Sequence, residues 1–282
     1  MTAAEGPEAL RAARAAATAR GLRVEDAVVL HASNALTVRL LPCDVVARVA
    51  RPGRRSARFQ VDLAVRLAER GAPVAVPDPR VGPHVHEVDG FTVTLWTHHP
   101  AAAAEVAPAP YAAALTRFHA AARGLDVAVP RFTERVEQAQ RLLADRERTP
   151  DLDRADREFL ATTVERLGRQ VAASGAAEQV LHGEPHPGNV LAAEGGPVFV
   201  DLETCCRGPV EFDLAHAPEE VATHCPGLDQ ALLRRCRVLV LAVVTTWRWD
   251  RDDRFPDGRR LGREWLADVR AAVARDGGDH AG

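Results

Sequence analysis

The sequence changes texture once, between Trp96 and Tyr111, and that change limits the fold more than any other feature. Before it, short β-branched runs alternate with turns. Residues 24–31 read as a strand, ASNALTV as a turn into a second strand, and residues 44–50 as a third, bounded by Pro42 and by Pro52-Gly53. A helix follows, capped by Ser56 and ended by Gly71, with Phe59, Leu63 and Leu67 along one face. HEVDGFTVTLW then makes a hairpin around Asp89-Gly90. Beyond the Pro- and Ala-rich segment THHPAAAAEVAPAP, helical periodicity takes over. Residues 111–123 and 154–173 each carry an apolar stripe, and the chain after Asp213 is mostly helical. Two short strands, at 180–182 and 197–202, interrupt this back region. The N-terminal segment TAAEGPEALRAARAAATARG reads as an exposed helix without the apolar core of a signal peptide.

Composition narrows the partners. At 282 residues and 46% hydrophobic content, the chain can bury a sizeable core in one large domain or two lobes. A formal net charge of −3 carries no polyanion-binding signature, which argues against nucleic acid. No apolar run approaches the roughly 20 residues that span a bilayer, so no membrane partner is expected. The five cysteines lack CxxC spacing and an even disulfide framework, and read as reduced thiols in a cytoplasm. Cys205-Cys206 reads as packing and His119, beside Phe118, as a packed histidine.

The chain contains no lysine, so all 36 basic residues are arginine. No Walker A lysine, Schiff-base lysine or lysine general base can exist here. Any side-chain cation in a mechanism must be a guanidinium, which does not deprotonate in proteins.

The densest group of ionisable and turn-forming residues is LHGEPHPGNVL, between the two short strands. Its position predicts a hairpin-like functional loop. Asn189 follows Glu184 by five residues, and Asp201 stands twelve further on, at the end of an apolar strand. A carboxylate, an amide and a second carboxylate so spaced can converge. Phosphoryl transfer to an alcohol needs that set: an acceptor for the hydroxyl proton and hard oxygen ligands for Mg2+.

At these residues the chain resembles the aminoglycoside phosphotransferase and choline kinase-type superfamily. Its signature H-G-D-x-H-x-x-N, followed by a strand bearing D-x-E or D-x-D, stands here as HGEPHPGN and DLE. GPVEFDLA further resembles the family's G-P-x-x-x-D-L-A stretch. The resemblance implies a bilobal protein kinase-like α+β fold. Residues 1–96 would form a small β-rich nucleotide-binding lobe, residues 97–282 a larger, mainly helical catalytic lobe, with a hinge near 97–100. It implies Glu184 as catalytic base, Asn189 and Asp201 as Mg2+ ligands, and His182, His186 and Asp213 as supports of the loop. Glu203 becomes a residue near the substrate or behind the metal ligands. Arg48 would stand where kinases place the phosphate-gripping lysine, with Gln60 at the position of its glutamate partner. The turn at Ser33 and Asn34 would cover the phosphates, and Trp96, Thr97 and His99 would bind the base. The implied donor is ATP or GTP and the implied acceptor a hydroxylated small molecule, plausibly an antibiotic. A metabolic acceptor (a sugar, a choline-like alcohol or homoserine) is the competing enzyme reading. Glu184 in place of aspartate and Arg48 in place of lysine depart from the pattern, and the first leaves room for a catalytically weak pseudokinase. The alternation of His182, Glu184 and His186 offers another class, a metal-dependent hydrolase or oxygenase, against which Gly183, Pro185 and Pro187 interrupt strand geometry.

Overall fold

The structure is a computed structural model and describes residues 6–32, 35–52, 57–100 and 105–278. The chain runs α1 (Gly6–Ala19), β1 (Val24–Ala32), β2 (Ala35–Pro42), β3 (Val45–Ala50), α2 (Ala57–Glu69), β4 (Val85–Val88), β5 (Phe91–Thr97) and α3 (Pro108–Ala122). It continues through α4 (Thr133–Ala144), α5 (Arg154–Ala172), β6 (Gln179–Leu181), β7 (Val190–Ala193), β8 (Gly196–Phe199) and β9 (Cys206–Gly208). The short α6 (Val210–Leu214) and α7 (Glu219–Ala222) lead to α8 (Gln230–Trp247) and α9 (Gly258–Gly278). The expected α+β class holds. Ser56, read as a helix cap, and the turn at Ser33 and Asn34 lie outside the described residues.

Two compact units emerge, residues 1–127 with 187–204, and residues 128–186 with 205–282. The first is built on an antiparallel sheet of order β1-β2-β3-β5-β4. Strand period two decides its faces. Val45, Ala47 and Val49 of β3 are fully buried, whereas Val46, Arg48 and Ala50 alternate with them on the other face. The buried set meets Leu36, Val38, Leu40, Phe91, Val93 and Leu95 of the neighbouring strands and five alanines of α1. Here the expectation of an exposed N-terminal helix fails. Ala9, Ala12, Ala13, Ala16 and Ala17 are essentially inaccessible, because alanine lets the helix lie close on the sheet while its arginines stay outside.

Segment 187–204 joins this unit through Phe199. Its backbone bonds Pro73 and Ala75, with Phe199 N donating to Pro73 O at 2.8 Å and Ala75 N to Phe199 O at 2.9 Å. Its ring meets Tyr111 and Phe118 of α3 edge-on, at centroid distances of 6.0 and 5.7 Å. Edge-to-face aromatic pairs add about 0.5–1.5 kcal/mol each beyond area burial. Asp201, two residues on, is therefore fixed from behind.

In the second unit, α4, α5, α8 and α9 share one core that includes Val136, Leu160, Val164, Leu167, Leu239 and Val269. Gly168 lets α4 and α5 approach, since a Cβ there would lie 2.7 Å from Val136 Cγ1. Trp249 is buried in this core with Trp247 packed against it, and the adjacent cysteines are buried as expected, as is His119 in the first unit. The hairpin expected around the central loop is not formed. β6 pairs with β9 and β8 with β7, so the strands that flank the loop are not each other's partners.

Candidate active site

In the first unit, Arg48 gathers three groups remote in sequence. Its Nη1 and Nη2 fork onto Asp201, at 2.9 Å to Oδ1 and 3.2 Å to Oδ2. Nη1 also donates to Gln60 Oε1 at 2.9 Å, and Nη2 to Glu203 Oε2 at 3.2 Å. Only a planar guanidinium can serve a carboxylate fork and two side acceptors at once. Asp201 itself has φ 61°, a left-handed conformation uncommon outside glycine, which turns the chain from β8 so that the carboxylate meets Arg48. The structure thus brings Arg48, Gln60, Asp201 and Glu203 together. Asn189 ends a short 3-10 turn, and its carbonyl accepts Val200 N at 3.0 Å, tying the turn to the chain just before Asp201.

Carboxylate and amide oxygens are the donors a hard divalent ion takes. The Asp201 carboxylate already accepts a cation on both oxygens, so the residues present fit such an ion. Trp96 donates Nε1 to Thr94 Oγ1 at 2.7 Å, and Thr97 N donates to Val76 O at 3.0 Å. Thr97 Oγ1 and His99 Nε2 are buried polar atoms with no protein partner, and burial holds the His99 pKa below its ordinary value.

In the second unit the loop after β6 is held by Asp213, a fully buried carboxylate on α6. It accepts His182 N at 2.9 Å and Gly183 N at 2.8 Å. Gly183 has φ 90°, which a side chain rarely adopts, and that turn presents Glu184. His186 N donates to Glu184 O at 2.8 Å, and Glu184 N to His182 Nδ1 at 3.4 Å. The Glu184 carboxylate meets a residue the sequence reading overlooked: Arg135 Nη2, from the first turn of α4, donates to Glu184 Oε1. Burial works to raise the Glu184 pKa. The charge and hydrogen bond of Arg135, aided by His216 and His186, outweigh it, and the pKa falls below the usual carboxylate value. His216, three residues past Asp213, was also unforeseen. Its Nε2 is buried without a protein partner, and burial lowers its pKa to about 4.

Among the described residues, no group of three or more His, Cys, Asp or Glu could hold a metal ion. The tridentate set suggested by His182, Glu184 and His186 is therefore not formed. The turn at Gly183 breaks the alternation, and the Glu184 carboxylate is directed to Arg135. Nor is any helix among the described residues long and apolar enough to cross a membrane.

A kinase-like sheet carrying a cation opposite an Asp-bearing segment, and a separate loop carrying a carboxylate, define a phosphotransferase with an alcohol group as acceptor. The chain belongs to the phosphotransferase enzyme family, whose sequence profile matches residues 6–270. Among solved structures it is similar to an amicoumacin kinase in complex with AMP-PNP, Ca2+ and Ami, with TM-score 0.71, 13% identity, and coverage of 95% of this chain and 96% of the other. A choline kinase from Streptococcus pneumoniae gives TM-score 0.68 at 14% identity, over 93% and 97% of the two chains. A GDP complex of aminoglycoside 2'-phosphotransferase-IIIa also gives 0.68 at 14%, over 93% and 98%. At such identities the likeness is one of fold. A comparison with curated protein sequences finds no match.

Proposed function

We propose that the protein transfers the γ-phosphoryl group of ATP or GTP to a hydroxyl of a small molecule, an antibiotic acceptor being the leading candidate, in a cytoplasm. The observation that carries this reading is the Arg48 fork on Asp201, with Gln60 and Glu203 on the same guanidinium. A cation on the third strand, a polar residue on the following helix and a carboxylate some 150 residues later form the group that a kinase directs at nucleotide phosphates.

In this reading Arg48 grips the α- and β-phosphates, and Gln60 keeps the guanidinium oriented through its amide oxygen. Asn189 and Asp201 would hold Mg2+, which would supply positive charge to offset that of the transferring phosphate. Glu203 holds Arg48 in reserve while no nucleotide is bound. Glu184 orients the acceptor hydroxyl and takes its proton, and Asp213 secures the loop that carries it, with His182 and His186 shaping its turns. Trp96, Thr97 and His99 contact the base, and the Ser33-Asn34 turn covers the phosphates. The transition state of phosphoryl transfer is loose in most analyses, so a base with a lowered pKa still serves, because its first task is orientation.

Calorimetric titration with non-hydrolysable ATP and GTP analogues, each with and without Mg2+, tests the reading. Mg2+-dependent binding of one analogue names the donor. Transfer is then sought with that nucleotide on hydroxylated antibiotics and on choline-like alcohols, sugars and homoserine. Absence of binding by either nucleotide would overturn the reading, and binding without Mg2+ dependence or transfer would mark a pseudokinase.

A further inference from the structure

Arg135 lies outside the signature residues, and the fold specifies its contact with Glu184 closely. The segment before α4 runs beside β9, with Phe132 N donating to Arg207 O at 2.9 Å and Arg207 N to Pro130 O at 2.7 Å. Phe132 is fully buried, 5.1 Å from the Phe212 ring, and a Cβ on Gly208 would lie 3.0 Å from it. Since β9 pairs with β6, the strand that leads into the loop, the start of α4 and the Glu184 loop share one small sheet. Val136 faces Gly168 inward, and Arg135, one position earlier, turns to Glu184. Both side chains are mostly buried, 18% and 24% exposed.

We propose that Arg135 is a positioning residue for phosphoryl transfer, holding the Glu184 carboxylate by Oε1 in the pose that meets the acceptor hydroxyl. The proposal rests on the kinase reading above. Glutamate has one more rotatable bond than aspartate, so without an anchor its carboxylate would sample more poses than the shorter base. The guanidinium removes that freedom. Charged or titratable groups near Glu184 include Arg135 from α4, His182 and His186 from its own loop, and His216 beyond α6, on which Asp213 also acts.

A double-mutant cycle of Arg135→Met with Glu184→Asp tests this, read by kcat, nucleotide KM and a carboxyl NMR titration of the glutamate. Arg135→Met keeps the stem length and is expected to lower kcat roughly 10–100-fold with nucleotide KM unchanged and the Glu184 pKa raised. Added guanidinium is expected to restore part of kcat. In the Glu184→Asp background, where the carboxylate is drawn back by about 1.5 Å, Arg135→Met is expected to cost less than about 3-fold. Equal losses in both backgrounds would overturn the proposal in favour of general structural damage, as would an unmoved Glu184 titration. If Arg135→Met melts, Arg135→Lys with the same readouts replaces it, and equal kcat losses for that variant in both Glu184 backgrounds would overturn the proposal. A shifted titration in a chain that transfers nothing when unaltered would overturn the kinase reading instead, and the positioning role with it.

Discussion

The two units each hold an arginine–carboxylate pair, and the pairs are built differently. Arg48 and Asp201 meet through a two-pronged fork, with Gln60 and Glu203 as further acceptors, and Asp201 is 38% exposed. Arg135 reaches Glu184 through one nitrogen in more enclosed surroundings, among histidines. Arg48 is itself only 22% exposed, but its two carboxylate partners are 38% and 49% exposed, so it can exchange one solvated anion for another at modest cost. A buried pair is costly to separate, because either charge alone would lie out of water. The first arrangement suits a side chain that must release its carboxylate to grip phosphates. The second suits a carboxylate that must stay in place.

Substitution at the enclosed pair should have the largest effect. Glu184→Gln is expected to reduce kcat about 10²–10⁴-fold while the Kd for the nucleotide analogue stays within about 2-fold. Steady-state kinetics beside calorimetry checks both, and unchanged turnover would dissolve the proposed division between the pairs. The surroundings of the enclosed pair should also register in acid. His216 has a folded pKa of about 4 against an ordinary 6.5, so the unfolded chain takes up its proton first as pH falls. Stability is then lost from about pH 6.5 downward and levels off below about 4, by at most ~3 kcal/mol. Glu184 adds loss in the same direction, since its lowered pKa contributes stability above the ordinary carboxylate value that disappears as pH falls through the folded one. Urea midpoints at pH 7 and pH 5 should therefore separate less in His216→Gln than in the unaltered protein. The smallest change is expected at the open pair. Arg48→Lys keeps the charge but loses the fork, and should weaken nucleotide binding roughly 10-fold, with kcat at saturating nucleotide nearly retained. A large kcat loss with unaltered Kd would assign Arg48 to the transition state and not to nucleotide capture.

The legibility of the two pairs in the sequence differs for the same physical reason. Arg48 sits on a β-branched strand and Asp201 two residues past another, so strand period and the two-part signature locate both, while only the resemblance places Gln60. Arg135 is one of 36 arginines, and nothing local distinguishes it. Its meaning arises from Phe132 on Phe212 and from the close approach at Gly208, both long-range contacts. The helix carrying it had a readable stripe in Phe132, Val136, Ala139 and Leu143, spaced by three or four, and that stripe would have been the signal. β7 and β9, at four and three residues, are too short to show a period. The buried side of α1 was misread because an alanine face carries little hydrophobic contrast, although its spacing is regular.

Phe199 has a consequence in time. The first unit takes its last piece from residues 187–204, after the ribosome has already made some 60 residues of the second. Until Phe199 emerges, Tyr111 and Phe118 lack the ring that packs between them and residues 73–75 lack their backbone partner. At ~5–20 residues per second, the interval lasts roughly 3–15 s. During it the nascent chain carries an unfilled aromatic socket, a surface that a chaperone would recognise.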